Sequence, residues 1–247
     1  MDAILLAGGY GTRLYPLTKD RPKALLPVGG EPIVNHVVAW LEACDEIERM
    51  FMVSNDKFSD DLAGWAEQYS GDKPITVLND GTLSNDDRLG AIGDIKFVLD
   101  NADVRSEAGV YVLGTDNLAG FDITSIVDLS RERDATAVFA SRIEDRQRLC
   151  RMGVVRLAED GRVLEFVEKP DDPPSQFAVP PFYAYSPEAV SLLPQYLEEG
   201  NDPDAPGHFI AWLADRSAVY ANVIDQEVLD IGTPRAYEAA KKQFGDE

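Results

Sequence analysis

A glycine-rich segment that follows the first apolar run contains residue types suited to binding phosphate. It reads Gly8-Gly9-Tyr10-Gly11-Thr12-Arg13. Glycines let backbone N–H groups approach an anion closely, and successive amides form an anion-binding nest. The spacing matches neither GxxxxGK[ST] nor GxGxxG. The segment therefore predicts either a phosphate-binding loop or a tight turn from a strand into a helix.

The residues after this loop extend the pattern. The stretch from Leu6 to Ile33 contains the run Arg21-Pro22-Lys23-Ala24-Leu25-Leu26-Pro27, and it closely resembles the N-terminal signature of the sugar nucleotidylyltransferases. The resemblance implies that the loop wraps a nucleoside triphosphate, that Arg13 contacts its β and γ phosphates, and that Lys23 contacts phosphates of the reacting pair. The nucleotide-binding residues it implies here are Leu6, Ala7, Gly8, Gly9, Gly11, Thr12 and Arg13.

Further motifs spread the resemblance over nearly the whole chain. Gly114-Thr115-Asp116-Asn117 resembles the family's Gly-Asp-Asn metal site with one extra residue, and Asp230, just before Gly232-Thr233-Pro234, resembles its second metal carboxylate. Mg²⁺ commonly takes one or two carboxylates together with phosphates and waters. The resemblance therefore implies a Mg²⁺ cofactor held by Asp116 and Asp230, although most of the 27 aspartates are expected to be surface or capping residues.

The acceptor side of the implied site lies in the second half of the chain. Glu168-Lys169-Pro170 resembles the family's Glu-Lys-Pro motif, which holds the sugar and its phosphate, and Gly153 matches the glycine strand whose backbone faces the sugar. Tyr183 ends the segment that corresponds to the sugar strand. The resemblance implies a sugar-phosphate site of Gly153, Glu168, Lys169 and Tyr183, and a catalytic set of Arg13, Lys23, Asp116, Lys169 and Asp230.

The segment that would read the nucleobase is unusual. Residues 79–88 are longer and more polar than the family's loop, and Leu89-Gly90-Ala91 most resembles its Leu-Gly-Thr at the base edge. We expect Asn79, Gly81, Thr82 and Gly90 to contact the nucleotide. These residues do not indicate which base is selected.

The implied reaction needs no general base. A phosphate oxygen of a sugar 1-phosphate attacks the α-phosphorus of the triphosphate and pyrophosphate leaves, and the attacking phosphate is already anionic because its second pKa is about 6. The only histidines are His36 and His208, and no nucleophile-elbow motif occurs. Catalysis would then depend on positioning and charge neutralisation. Lysine is scarce, with 8 residues, which strengthens the interpretation of Lys23 and Lys169 as phosphate ligands.

Two other functions remain open at this level. Residues 179–183 depart from the family's Asn-x-Gly-x-Tyr sugar strand, which motivates a cytidylyltransferase-type enzyme with phosphocholine, a phosphonate or an inositol phosphate as acceptor. The second open function is that of a non-catalytic paralogue that only binds nucleotide-sugar. The presence of the five implied catalytic residues argues against it.

The elements that must position these residues follow an α/β pattern. Short apolar runs near 2–6, 49–54, 75–78, 109–113 and 135–140 alternate with segments of helical period, which predicts a largely parallel sheet. After residue 141 short strands follow, with a hairpin turn at Asp160-Gly161, then helices over 187–197 and 208–215, a strand over 219–223 and a last helix capped by Thr233. We expect a three-layer α/β/α Rossmann-like nucleotidyltransferase fold with a mostly parallel mixed sheet and a small β-rich sugar-binding lobe.

Charge and composition limit the partners. The 247 residues carry 44 acidic and 23 basic side chains, a formal net charge of −21, which argues against binding to nucleic acid or to an anionic membrane. Such an acidic, lysine-poor composition suits high salt, where screening weakens self-repulsion, so we hold a halophilic source as a hypothesis.

The remaining features predict one cytoplasmic unit. Cys44 and Cys150 form no disulfide or metal pattern, and the N-terminus has no basic region before its short apolar run. We expect a single nucleotidyltransferase domain over 1–247, with a nucleotide-binding half (1–140) and a sugar-phosphate-binding half (141–247), and no appended C-terminal module. Homo-oligomers are common in the family and are compatible with this sequence.

Overall fold

The apolar runs form the strands of one ten-stranded sheet in the computed structural model, which describes residues 1–226 and 228–245. Four further short strands form two small ladders. The strands are β1 (Asp2–Ala7), β2 (Pro27–Val28), β3 (Glu31–Pro32), β4 (Arg49–Ser54), β5 (Ile75–Asn79), β6 (Val110–Gly114), β7 (Asn117–Leu118), β8 (Thr136–Arg142), β9 (Gly153–Leu157), β10 (Val163–Glu168), β11 (Phe177–Val179), β12 (Phe182–Tyr185), β13 (Val219–Ile224) and β14 (Leu229–Asp230).

The helices connect these strands, as the alternating pattern predicts. They are α1 (Ile33–Glu42), α2 (Ser59–Gln68), α3 (Ala91–Asn101), α4 (Ser125–Arg133), α5 (Arg146–Leu149), α6 (Pro187–Glu198), α7 (Pro206–Ala214) and α8 (Pro234–Phe244). The hydroxyl of Thr233 accepts a hydrogen bond from Ala236 N at 3.2 Å, which confirms the predicted cap of α8. Helix α7 begins two residues earlier than predicted because Pro206 takes the first helical position, where its missing N–H costs nothing.

The sheet is mixed and mostly parallel. Strands β5, β4, β1 and β6 lie side by side in that order and are parallel. Strand β12 is antiparallel to both of its neighbours, β6 and β8, and β13 pairs in parallel with β8. The sheet therefore confirms the predicted class, and Tyr183 lies on β12, the reversed strand between β6 and β8.

Two helical layers cover the sheet because alternate residues of each strand point to opposite faces. Ile4 of β1 packs on the face covered by α3, α6 and α7, whereas Ala3 and Leu5 pack on the face covered by α1, α2 and α4. The fold thus has the three α/β/α layers expected. No helix in the described residues is long and apolar enough to cross a membrane.

A smaller group of strands extends from the end of β8. The first half of β8 pairs with β12 and the second half with β11, which also pairs with β9. Strands β9 and β10 form the predicted hairpin around Gly161. This is the expected β-rich lobe, and its continuity with the main sheet joins residues of both predicted halves. The functional division at residue 140 stays a prediction.

Candidate active site

The glycine loop and Asp116 meet at the carboxyl edge of the parallel strands. Leu6 of β1 lies opposite Gly114 of β6, so the chain leaves both strands at the same place. The side-chain hydroxyl of Thr115 donates to Leu6 O at 3.1 Å and fixes the two exits to each other. Open α/β sheets bind ligands at this edge, beyond the ends of adjacent strands.

The loop is held in shape by side chains from outside it. Asn55, directly after β4, donates through Nδ2 to Gly8 O at 2.8 Å, and Thr18 Oγ1 donates to Gly11 O at 2.7 Å. Gly11 has φ +61°, and a Cβ at this position would lie 3.2 Å from the side chain of Thr18. Both the left-handed backbone and the close contact require glycine there. The loop is therefore preformed, with its amides available to an anion.

Two carboxylates and one ammonium group meet beside the loop. Lys23 Nζ donates to Asp116 Oδ2 and lies 4.0 Å from Asp230 Oδ1. Asp116 also accepts from the side-chain amide of Asn117. The side chain of Lys23 is 13% exposed, and these carboxylates pair with its ammonium group as a largely buried charge requires. The site is thus compact and rich in charge of both signs.

The short ladder of β7 and β14 brings Asp230 to this place across more than one hundred residues of sequence. Asp230 lies opposite Asn117 in the ladder, and Ile231 N donates to Asp116 O at 3.0 Å. Desolvation raises the pKa of Asp230, and the negative charge of Asp116 raises it further, against the opposing effect of Lys23. Two carboxylates held this close together form a binding place for a cation.

Asp116 and Asp230 are accordingly the residues that could hold a divalent metal ion. Their oxygens already converge on a cationic centre, the ammonium group of Lys23. A pair of carboxylates is the usual protein contribution to a Mg²⁺ site that is completed by phosphates and water. In the described part of the chain, no group of three or more His, Cys, Asp or Glu side chains is arranged to hold a metal.

Lys169 faces the loop from the β-rich lobe. Together with Arg13, Lys23 and Asp116 it lines a cavity of about 470 Å³, which we call the loop cleft. Lys169 has φ +47°, an uncommon backbone conformation for a residue with a side chain, and its amide donates to Met152 O at 3.1 Å. Strain of this kind is found where a side chain must be held in one direction.

Glu168 is largely buried beside Lys169. Its side chain is 12% exposed, and desolvation raises its pKa against the opposing charges of Lys169 and His208. A Cβ on Gly207 would lie 2.0 Å from Glu168 Oε2, and a Cβ on Gly153 would lie 3.0 Å from the same atom. The two glycines therefore make room for this carboxylate.

The structure brings many of the predicted residues together. Besides the three cationic side chains and Asp116, the predicted residues that line the loop cleft are Leu6, Gly8, Gly9, Gly11, Thr12 and Gly90. Asp230 lines a neighbouring cavity of about 760 Å³, which shares Arg13 with the loop cleft.

Ala7, Gly153 and Glu168 do not line the loop cleft, and neither do four other predicted residues, whose contacts are with other parts of the protein. Asn79, Gly81 and Thr82 do not line the loop cleft: Asn79 accepts from Gly81 N at 2.8 Å, and Thr82 O accepts from the Tyr10 hydroxyl at 2.8 Å. Tyr183 is 4% exposed and stacks on Tyr185, and burial raises its pKa. Contacts of these four residues with nucleotide or sugar stay predictions.

Sequence reasoning missed several residues of the loop cleft. These are Tyr10, Asn85, Arg88, Ala91, Asp94 and Asp204. Arg88 and Asp204 form an ion pair of 2.9 Å that joins the loop before α3 to the segment before α7. A signal for Asp94 was present, because it lies four residues before the buried Val98 on the apolar side of α3.

Comparison with known proteins agrees with this geometry. Residues 2–247 match the family described as Nucleotidyl transferase. The chain is 30% identical to UTP–glucose-1-phosphate uridylyltransferase AglF of Haloferax volcanii, over 100% of this chain and 98% of that protein. It is 29% identical to mannose-1-phosphate guanylyltransferase of Mycobacterium tuberculosis, over 96% of this chain and 62% of that protein.

Solved structures show the same fold. A UDP-glucose pyrophosphorylase complexed with UDP-glucose matches with a TM-score of 0.82 and 19% identity over 99% of this chain and 98% of that one. The CTP:phosphocholine cytidylyltransferase of Streptococcus pneumoniae matches with a TM-score of 0.77 and 18% identity over 98% of both chains. With its glycine loop, converging carboxylates and full-length match, this chain belongs to the Nucleotidyl transferase family.

Proposed function

We propose that the protein transfers a nucleoside monophosphate from a nucleoside triphosphate to a sugar 1-phosphate, with Mg²⁺, and releases pyrophosphate. The observation that carries the proposal is the meeting of Asp116, Asp230 and Lys23 beside the preformed glycine loop, with Lys169 facing the same cleft. This arrangement supplies positive charge and backbone amides, which phosphoryl transfer requires, and it contains no activated nucleophile.

Each group has a role that follows from its position. The amides of the loop and Arg13 would bind the triphosphate, and Lys23 would contact its phosphates from the floor of the cleft. Mg²⁺ held by Asp116 and Asp230 would neutralise phosphate charge when bound. Lys169 lies on the lobe side, so it would hold the acceptor phosphate in line with the α-phosphorus.

The proposal of a sugar 1-phosphate as acceptor rests on the residues of the lobe and on the names of the relatives. Glu168 presents a largely buried carboxylate beside Gly153 and Gly207, and such a carboxylate recognises hydroxyl groups by accepting their hydrogen bonds. A sugar offers several such donors, whereas phosphocholine offers none on its trimethylammonium group. UTP with glucose 1-phosphate is the first pair to test, because a relative matched over 100% of this chain and 98% of its own length carries that name.

The test is pyrophosphate release with Mg²⁺ in molar KCl. Five triphosphates (ATP, GTP, CTP, UTP and dTTP) are crossed with glucose, mannose, galactose and N-acetylglucosamine 1-phosphates and with phosphocholine. Release with at least one sugar 1-phosphate and none with phosphocholine supports the proposal. Release with phosphocholine alone would replace the sugar with the other acceptor class, and no release with any pair would contradict transfer.

Point variants distinguish a charged residue of the site from a charged residue elsewhere on the surface. Asp116→Asn should lower turnover at least 100-fold while thermal unfolding stays cooperative, because a carboxylate that binds Lys23 and the proposed metal is lost. Arg146→Ala is the control: Arg146 is 63% exposed and pairs with Asp172 on the surface, so activity should stay within about twofold. Activity near wild type in Asp116→Asn would remove this residue from the mechanism.

A further inference from the structure

Asp94 is a buried carboxyl group that the proposed mechanism does not use. It lies in the first turn of α3, is 7% exposed, and lines the loop cleft. Its Oδ1 atom is one of three buried side-chain atoms in the described ranges that have no hydrogen-bond partner. An unpartnered buried carboxylate oxygen is costly, so a ligand that donates to it would remove a real penalty.

The neighbours of Asp94 make this penalty larger. The side chain points at the glycine loop, since a Cβ on Gly8 would lie 2.7 Å from its Oδ2 atom. Desolvation raises the pKa of Asp94 to about 7, and the charges of Asp80 and Asp204 add to this effect. Arg88, which lines the same cleft, donates to Asp204 and to Asn85 O.

Packing alone does not account for an aspartate here. Ile92, Ile95 and Val98 of the same helix are fully buried against the sheet, so this face of α3 belongs to the apolar core. An alanine or valine would suit the position without a desolvation penalty. A strongly perturbed carboxyl group that opens into a cleft is a candidate ligand contact.

The charge distribution in the loop cleft indicates which part of a nucleotide would reach Asp94. The cationic side chains Arg13, Lys23 and Lys169 serve the phosphates, and a carboxylate would repel that polyanion. Asp94 therefore faces the nucleoside. The donors that a nucleoside offers to a carboxylate are the ribose hydroxyl groups and the N–H groups of the base.

We propose that Asp94 is a specificity-determining residue that accepts a hydrogen bond from the nucleoside, either from the ribose 2′-hydroxyl or from an N–H group on the base edge. This inference rests on the proposed function, because it assumes that the loop cleft binds a nucleoside triphosphate. It adds to that function a selection for ribonucleotides or for a particular base.

The experiment measures binding without an acceptor, so that catalysis is not needed. Isothermal titration calorimetry gives the Kd of ATP, GTP, CTP, UTP and their four 2′-deoxy counterparts for the wild type, Asp94→Asn and Asp94→Ala. Asp100→Asn is the matched control, since Asp100 lies on the same helix with its side chain 52% exposed. Circular dichroism establishes that each variant is folded, and Asp94→Val, which also lacks an acceptor, replaces the Ala variant if that one is not.

Two results support the proposal and identify the donor. Loss of a hydrogen bond to a charged acceptor should weaken binding about tenfold to 100-fold. If the ribose is the donor, the preference for ribo- over deoxynucleotides disappears in the Asp94 variants for every base. If the base is the donor, the ranking of the four bases changes by at least tenfold, while the ribo-to-deoxy ratios are retained.

The opposite result is equally clear. The proposal is overturned if the affinity ratios among the eight nucleotides stay within about twofold of wild type in both Asp94 variants. This holds even if all eight affinities fall together, because a merely structural residue would weaken them all equally. Failure of the wild type to bind any of the eight would refute the proposed function itself and the role of Asp94 with it.

Discussion

Replacing Asp94 with asparagine should stabilise the protein, and increasingly so as the pH rises. The buried carboxyl group has its pKa raised from 3.8 to about 7, so the native state holds this proton more tightly than the unfolded chain does. Stability therefore falls as the pH increases through this interval and remains lower above it. Asparagine has nearly the same shape and does not ionise, so the variant lacks this loss.

The size of the effect follows from the two pKa values. Each pKa unit corresponds to about 1.4 kcal/mol, so the interval from 3.8 to about 7 sets a ceiling of about 4 kcal/mol. At pH 5 the unfolded chain has already gained about 1.5 kcal/mol from ionisation, which leaves about 2.5 kcal/mol to develop between pH 5 and pH 8. For a protein of this size that difference corresponds to about 5–10 °C in Tm.

The assay is urea unfolding of wild type and Asp94→Asn at pH 5 and pH 8, in 0.15 M and in 2 M KCl. At each pH the unfolding free energy of the wild type is subtracted from that of the variant. The result of interest is how much this difference changes between pH 5 and pH 8. It should persist in 2 M KCl, because desolvation, the largest cause, is not screened by salt. Asp100→Asn, on the exposed face of α3, is the matched control.

A difference for Asp94→Asn that is flat between pH 5 and pH 8 would refute the reasoning, since it would mean that Asp94 keeps its normal acidity in the folded protein. A difference that vanishes in 2 M KCl would instead assign the effect to Asp80 and Asp204, with desolvation unimportant. Both results are independent of nucleotide binding.

Three further outcomes are expected, all read from thermal or urea unfolding. Gly11→Ala should destabilise the protein by about 1–2 kcal/mol because its φ is +61° and the new Cβ would lie 3.2 Å from Thr18. Gly9→Ala, whose Cβ would have no atom within 4 Å, should change stability by less than about 0.5 kcal/mol. Equal losses in the two variants would contradict this account of the loop. Thr233→Ala should cost about 1 kcal/mol through the lost cap on Ala236 N, and no change in Tm would mean that the cap is not formed. Stability should rise between 0.05 M and 2 M KCl because the chain carries a net charge of −21, and equal stability at the two concentrations would count against a halophilic source.

Much of the sheet could be predicted because its strands carry their own signal. The runs that became β1, β4 and β6 are apolar on both faces, as strands buried between two helical layers must be. The start of α8 was equally legible, since Thr233 and Pro234 occupy the cap and first position by local chemistry alone.

The parts that escaped prediction depend on contacts distant in sequence. Strand β11 has three residues, Phe177–Val179, after a proline-rich stretch, and it exists because β8 and β9 pair with it on either side. Asp94 illustrates the same limit within the site. A helix pattern places it on the inner face, yet its burial against Gly8 becomes visible only when α3 is packed on the sheet.

The resemblance to a family pointed to Asp116 and Asp230 as a pair, although the ladder that joins them could not be predicted. Strands β7 and β14 have two residues each, too short to carry a hydrophobic period. They form because Asp230 and Asn117 are held opposite each other by the core beneath them, in which Leu118 and Ile231 are buried.

Strand β8 has a consequence for how the two halves of the chain can evolve. One half of this strand completes the central sheet through β12 and the other half carries the lobe through β11, so a single stretch of seven residues is shared by both. A recombination that exchanged the lobe as a block would have to cut this strand or preserve its register on both sides. Under the proposed function, a change of acceptor would therefore be more accessible through point substitutions on β9 and β10 than through exchange of the lobe as a block.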